Sequence, residues 1–387
     1  MIRVGFVLSL DASWQGGLNY FKNLFNSIYS LPNRQLDLIV FLGTKNLHLI
    51  ADDLPAVQMV FSSAFDRYSL LWWFRKFFQR LFYRDLILWF LIRQHKVDLL
   101  SHFNESVLLK NTPIISWIPD FQHIRLPNFF TQKEINARNT FFEFLAKSSN
   151  IIILSSYAAK VDFINFSPTH ADKARVLQFC INPNLKEKQT TTLEELQKRY
   201  QFKGDYFFLP NQFWVHKNHQ VVIDALSLAV KIDKKVQVIC TGNTNDYRQP
   251  KNFKNLQKQI KTLKLDKNFR ILGLVPYEDL ISLMRSSIAV INPSRFEGWS
   301  TTVEESRLLE KIVLLSNIDV HLEQNPEQAL YFDVNDSQRL ANYLVELAAK
   351  ASANIYELYE SSRSYDKLFV EFGNEYQKIV IASISRD

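Results

Sequence analysis

Only two cysteines occur in the 387 residues, Cys180 and Cys240, far apart and outside any metal-ligand spacing. Their scarcity excludes a disulfide framework and a structural zinc site, and a reducing compartment is the simplest setting. No uncharged apolar run approaches the roughly 18 residues that span a bilayer; the nearest piece, Leu86 to Ile92, is far too short. The segment Met1 to Leu10 is apolar, but Asp11 follows at once, without a basic leader or a small-residue cleavage site. A buried first strand is therefore expected there, not a signal peptide. RNA-binding signatures and zinc-finger spacings are also missing, and the basic residues form no single block, so no nucleic acid is expected. The net charge of +7 and pI near 9.1 leave an anionic membrane surface or a phosphorylated substrate as the partners to consider.

With 47% hydrophobic and 22% charged residues, the chain is globular, and its length exceeds one ordinary core. Short apolar runs alternate with amphipathic ones. Strands are expected at 4–10, 36–42, 56–61, 97–100, 113–118 and 151–154, then at 206–209, 236–240, 269–272, 287–291 and 312–315. That alternation predicts an α/β protein made of two doubly wound, Rossmann-like domains. The polar stretch from Asn182 to Gln189 reads as the linker. Domains are accordingly expected at 1–181 and 190–364, with a helix over about 365–387 packing back on the first.

Residues 65–95 are dense in aromatics and bases, including Leu71-Trp72-Trp73-Phe74-Arg75-Lys76-Phe77-Phe78-Gln79-Arg80. Two readings fit. One is a long core helix with some solvated basic positions; the other is a peripheral contact with an anionic membrane.

The most informative stretch is Asn292-Pro293-Ser294-Arg295-Phe296-Glu297-Gly298-Trp299-Ser300-Thr301-Thr302-Val303-Glu304-Glu305. An apolar run ends here in a loop that enters a helix, where unpaired N–H groups and the helix dipole suit a phosphate. Two acids bracket the junction, Glu297 and Glu305, so a ligand bearing hydroxyls as well as phosphate fits best. Thr302 and Glu305 equally match a capping box, in which the pair would serve the helix's own N–H groups. Elsewhere, Gly16 and Gly17 follow the first strand, where paired glycines let a backbone approach a ligand. Asp120 and His123 lie at a strand end, where side chains face the crevice of such a sheet. Lys217 stands near a helix start and supplies a point charge for a phosphate.

Together, Pro293-Ser294 followed by Glu297 and Glu305, with Asp120-Phe121-Gln122-His123 and Asn211-Gln212-Phe213-Trp214-Val215-His216-Lys217-Asn218-His219, resemble retaining glycosyltransferases of family 4. The likeness covers about 110–335 and is strongest to a bacterial polysaccharide-building branch. It implies the GT-B fold, two Rossmann-like domains facing a central cleft. It also implies a nucleotide-diphosphate sugar donor and a glycan or lipid-linked glycan acceptor of O-antigen, capsule or exopolysaccharide type. By position, Glu305 meets the ribose, Glu297 the donor sugar, and Lys217 the diphosphate. Asn211, Gly298, Trp299 and the amides of Ser300, Thr301 and Thr302 line the donor, while Asp120 and His123 serve the acceptor.

No Asp-x-Asp occurs, so Lys217 and helix N-termini are expected in place of a metal, and no cofactor is expected. The chain departs from the family at Asn211-Gln212, where a Gly-Arg pair is usual. It departs again at Leu309, Glu310 and Ile312, which leave the helix after Glu305 without its usual C-terminal glycine, and at Pro119, where His is frequent. The expected location is cytoplasmic, at the inner face of the membrane. A nucleotide-sugar epimerase of the same fold and a non-enzymatic basic protein binding membrane or nucleic acid are the rival readings.

Overall fold

Two parallel sheets account for the alternating pattern. The computed structural model describes residues 1–8, 15–45, 54–109, 111–187, 191–353 and 364–384. The last two residues of the expected first strand, the end of the expected linker and the last residues of the expected C-terminal helix lie outside them. The first sheet is built from β1 (Ile2–Val7), β2 (Leu36–Leu42), β3 (Gln58–Phe61), β4 (Leu99–Ser101), β5 (Ile114–Ile118), β6 (Ile151–Leu154) and β7 (Ala174–Val176). The second contains β8 (Phe207–Leu209), β9 (Val238–Cys240), β10 (Phe269–Ile271), β11 (Val290–Asn292), β12 (Val313–Ser316) and β13 (Ala329–Phe332). Their orders are β3-β2-β1-β4-β5-β6-β7 and β10-β9-β8-β11-β12-β13. Each is a doubly wound order: the chain runs outward from a central strand, returns, and continues on the other side.

The sequence explains why the central strands need cover on both faces. Phe207, Phe208 and Leu209 are all fully buried. Phe207 and Leu209 pack with Val222 and Leu226 of the helix His219–Ile232, whereas Phe208 packs with Leu283 and Val303 on the opposite face. A continuous apolar run is what a parallel strand between two helical layers requires. The edge strands β7 and β13 escaped the sequence pattern because both are short and carry partly exposed residues.

Chain contacts divide the molecule into two compact units, one of Met1–Ile124, Thr131–Asn182 and Ser364–Asp387, the other of Arg125–Phe130 and Pro183–Arg363. In the first unit the helix Tyr365–Ile384 lies against the helix Gln15–Tyr29, with the Ser27 hydroxyl donating to the Phe369 carbonyl at 2.6 Å. Gly373 makes this approach possible, since a Cβ there would stand 2.6 Å from Ser27 Oγ.

The 65–95 stretch is not one core helix. It forms Leu70–Phe82 and Leu86–Gln94, separated at Tyr83, whose φ of 52° breaks the first helix. Gly16 and Gly17 also differ from expectation, lying in the first turn of the helix Gln15–Tyr29 instead of in a loop.

Candidate functional site

In the second sheet the chain reverses its direction of winding between β8 and β11, which are neighbours. Loops leaving the C-terminal ends of two such strands diverge, and the crevice between them is where ligands of doubly wound sheets bind. Residues 210–218 follow β8, and residues 293–300 follow β11.

Polar bonds tie these loops together. Asn211 Nδ2 donates to Asn292 Oδ1 at 3.0 Å, and Asn292 Nδ2 donates to Ser300 Oγ at 2.8 Å. The Arg295 amide donates to the His216 carbonyl at 2.8 Å. Asn218, in the left-handed region at φ 56°, donates through Nδ2 to the carbonyls of Pro293 and Val334. The short side chain of Asn suits that backbone better than most residues.

Behind the first loop, Gly242 has φ +130°, and a Cβ there would stand 2.7 Å from the Asn211 carbonyl oxygen. Gly242→Ala is therefore expected to push the Asn211–Gln212 backbone aside. The variant should lose about 1–3 kcal/mol of stability, read as a lower unfolding midpoint in urea.

Two acids and one base occupy the junction. Lys217 Nζ lies 2.6 Å from Glu297 Oε1, with the two side chains 22% and 10% exposed. Burial alone would raise the Glu297 carboxyl, but the facing Lys217 charge outweighs it, with help from His321, and holds the group below the usual carboxylate range. Glu305, 4% exposed, accepts a 2.8 Å bond from the Tyr277 hydroxyl on Oε1. Burial pushes its carboxyl up to about 7, against the lowering effect of that bond.

The capping expectation is corrected by the helix itself, which runs Thr301–Leu308 with Ser300, not Thr302, as its N-cap. Ser300 Oγ accepts from the Val303 amide at 3.4 Å. Glu305 thus lies in the second turn, where it cannot reach back to the start, and its carboxylate serves no capping function. The Ser300 amide is also engaged, donating to Gln324 Oε1 at 3.1 Å. Among the described residues, the Thr301 and Thr302 amides at the helix start have no such bond. At the other end Glu310 adopts φ 53°, taking the left-handed position a glycine would fill, and Lys311 N–H reaches the Ser306 carbonyl at 2.9 Å.

Asp120 and His123 belong to the first unit. Asp120 Oδ1 accepts from the Gln122 amide at 2.9 Å, starting the helix Gln122–Arg125. His123 is fully buried, packed edge-on against Phe142 with ring centroids 5.3 Å apart, and its Nε2 meets Asn139 Oδ1 at 2.9 Å.

Residues 194–362 match the sequence model of the family glycosyl transferases group 1. That match spans the whole junction from Lys217 to Glu305. Over 235 residues the chain is 26% identical to the O-antigen chain mannosyltransferase RfbU of Salmonella typhimurium, covering 60% of this chain and 59% of the relative. Among solved structures, Anabaena Alr3699/HepE in complex with UDP-glucose superposes with a TM-score of 0.69 at 18% identity, over the full length of both chains. WaaG, a glycosyltransferase involved in lipopolysaccharide biosynthesis, does so with 0.61 at 12%, covering 98% of each chain. The fold, two Rossmann-like parallel-sheet domains, is the GT-B fold of these neighbours.

Two residues of the matched segment, in a stretch that also resembles the polysaccharide-building branch by sequence, join the site without having been expected there. Gln324 Nε2 donates to the Ser300 carbonyl at 3.0 Å and to Glu304 Oε1 at 2.9 Å, clamping the helix start. His321, fully buried, meets the Ser316 carbonyl through Nδ1 at 2.9 Å, which makes Nδ1 the donor and leaves Nε2 an acceptor. Among the described residues that Nε2 has no hydrogen-bond partner. The His321-Leu322-Glu323-Gln324 run was the available signal, since a spacing of three puts both side chains on one helix face.

Proposed function

We propose that the chain is a glycosyltransferase of glycan biosynthesis, moving a sugar from a nucleotide-diphosphate sugar to a hydroxyl of a growing cell-surface glycan. The observation that carries the reading is the Lys217–Glu297 contact at the loop crossing, with a buried Glu305 on the helix that the second loop enters. A lysine for phosphate and two acids for hydroxyls are the chemistry of such a donor. The UDP-glucose held by the Anabaena neighbour is a ligand of this class.

In this reading the donor diphosphate sits over the amides of Thr301 and Thr302 and draws Lys217 Nζ toward its oxygens. Charge builds on the diphosphate as the sugar leaves, so Lys217 counts most in the transition state. Glu297, relieved of its lysine, accepts hydrogen bonds from the donor sugar, and Glu305 Oε2 accepts from the ribose. Lys217 and the helix start take the part that a metal plays elsewhere. The family 4 resemblance adds retention at the anomeric carbon, with the acceptor proton passing to the leaving phosphate.

A thermal-shift panel of nucleotide sugars, headed by UDP-glucose and nucleotide-activated mannose, tests this reading. A donor at a hundred times its Kd raises folding stability by about 2.7 kcal/mol, a shift of several degrees. A flat response across the panel would count against a donor site. Conversion of the responding donor without any acceptor would instead favour an epimerase.

A further inference from the structure

The helix Leu70–Phe82 is inside out. Its buried residues are Arg75 and Gln79, whereas Trp73 is 57% and Phe77 60% exposed. Leu70, Phe74, Leu81 and Phe82 join them, and at 100° per residue these positions cover one continuous face. Soluble helices bury the opposite side.

Polar bonds fix this orientation. Arg75 Nε donates to Asp85 Oδ2 at 2.5 Å, and Arg75 Nη2 donates to Glu105 Oε2 at 2.7 Å. Gln79 Nε2 bonds the same two carboxylates at 2.8 and 2.7 Å. Asp85 also caps the next helix, Leu86–Gln94, by accepting from the Leu88 amide at 2.9 Å. That second helix turns out Leu86, Trp89 and Phe90. The two helices thus present their aromatics outward by construction, and an apolar surface of this extent marks an interaction site.

We infer that this face docks on an anionic lipid bilayer, lying in its interface. Charge selects that occupant over a second copy of the chain. Exposed Arg80, Arg84 and Arg93 border the aromatics, and the one acid of the two helices and their connection, Asp85, is buried under Arg75. Two such faces brought together by a dimer axis would set like charges against each other, whereas anionic headgroups complement them. Tryptophan and phenylalanine beside arginine are the composition of interfacial helices, whose rings enter the boundary while the guanidinium groups reach headgroups. No described helix is long and apolar enough to cross a membrane. The inference concerns residues of the first unit and stands apart from the donor site.

The test is co-sedimentation of the full chain with vesicles of phosphatidylcholine alone or mixed with phosphatidylglycerol. The wild type should pellet with the anionic vesicles and be released by salt. Trp73→Glu/Phe77→Glu should weaken that partition by roughly ten-fold or more, because two buried rings are lost. Arg80→Gln/Arg84→Gln should weaken it less and blunt the salt dependence. All four positions are exposed, so unchanged melting is expected and serves as the control. Wild-type protein that stays in the supernatant with anionic vesicles overturns the inference, as does an aromatic variant that binds them equally well. A wild-type dimer in light scattering, made monomeric by Trp73→Glu/Phe77→Glu without any vesicle binding, would assign the face to a second copy instead.

Discussion

Lys217→Met is expected to lower sugar transfer by about two to three orders of magnitude, and Glu297→Gln by a comparable factor, with near-native circular dichroism in both. The two substitutions differ in their side effects. Lys217→Met leaves the mostly buried Glu297 carboxylate without its partner, at a cost on the order of 2 kcal/mol after allowing for the exposed part of the lysine. Glu297→Gln keeps the shape and removes only a charge, so its stability loss is smaller. Initial rates with the responding donor separate the contributions: kcat falls most for Lys217→Met if the lysine acts on the leaving diphosphate. Near-normal turnover in both variants would remove the pair from the mechanism.

Glu305→Gln is expected to abolish a pH dependence of stability. The folded chain holds this proton to about 7 because of burial, while the ordinary value is 4.5. Between those two values the folded state binds more protons than the unfolded one, so stability falls as pH rises through the window. The loss amounts to about 3 kcal/mol in all and is complete above it. Urea unfolding at pH 5 and pH 8 should therefore show wild type losing ground to Glu305→Gln as pH increases. Such a cost within the resting protein is expected of a carboxylate kept for a ligand and not for the fold.

Much of this site was legible because it lies in one run of sequence. Pro293, Gly298 and the preceding apolar residues mark a strand, a loop and a helix in order, and the spacing of Glu297 and Glu305 is visible by eye. What failed to show was pairing between distant segments. Three hydroxyl residues in succession, Ser300, Thr301 and Thr302, offer equal caps by pattern. The bond from Asn292 to Ser300 selects the first of them, and with it frees Glu305. Tyr277 and Gln324 come from separate helices, and nothing local announces that their polar ends meet Glu305 and Ser300.

His123 was less legible. Its place after a strand suggests the crevice, and the packing of its ring against Phe121 and Phe142 has no local signal. The aromatic helix shows the same limit. Its amphipathic period was readable, yet which face is inside depends on Asp85 and Glu105, which lie beyond the helix. The sheets were the easier inference, since β6 is a continuous apolar run and β2 is broken only by Asp37, whereas a short edge strand containing Arg175 has almost no pattern.

The central claim is that Glu305 meets the ribose of a nucleotide sugar bound at the start of its helix. Calorimetric titration of the responding donor at pH 6 and pH 8, wild type beside Glu305→Gln, measures it most directly. The diphosphate diester of a nucleotide sugar does not titrate in this range, so any change belongs to the protein. Wild type should bind more tightly at pH 8, where Glu305 is ionised, and Glu305→Gln should bind about ten-fold or more weaker there with little pH dependence. Equal affinity of the two proteins at pH 8 would contradict the claim.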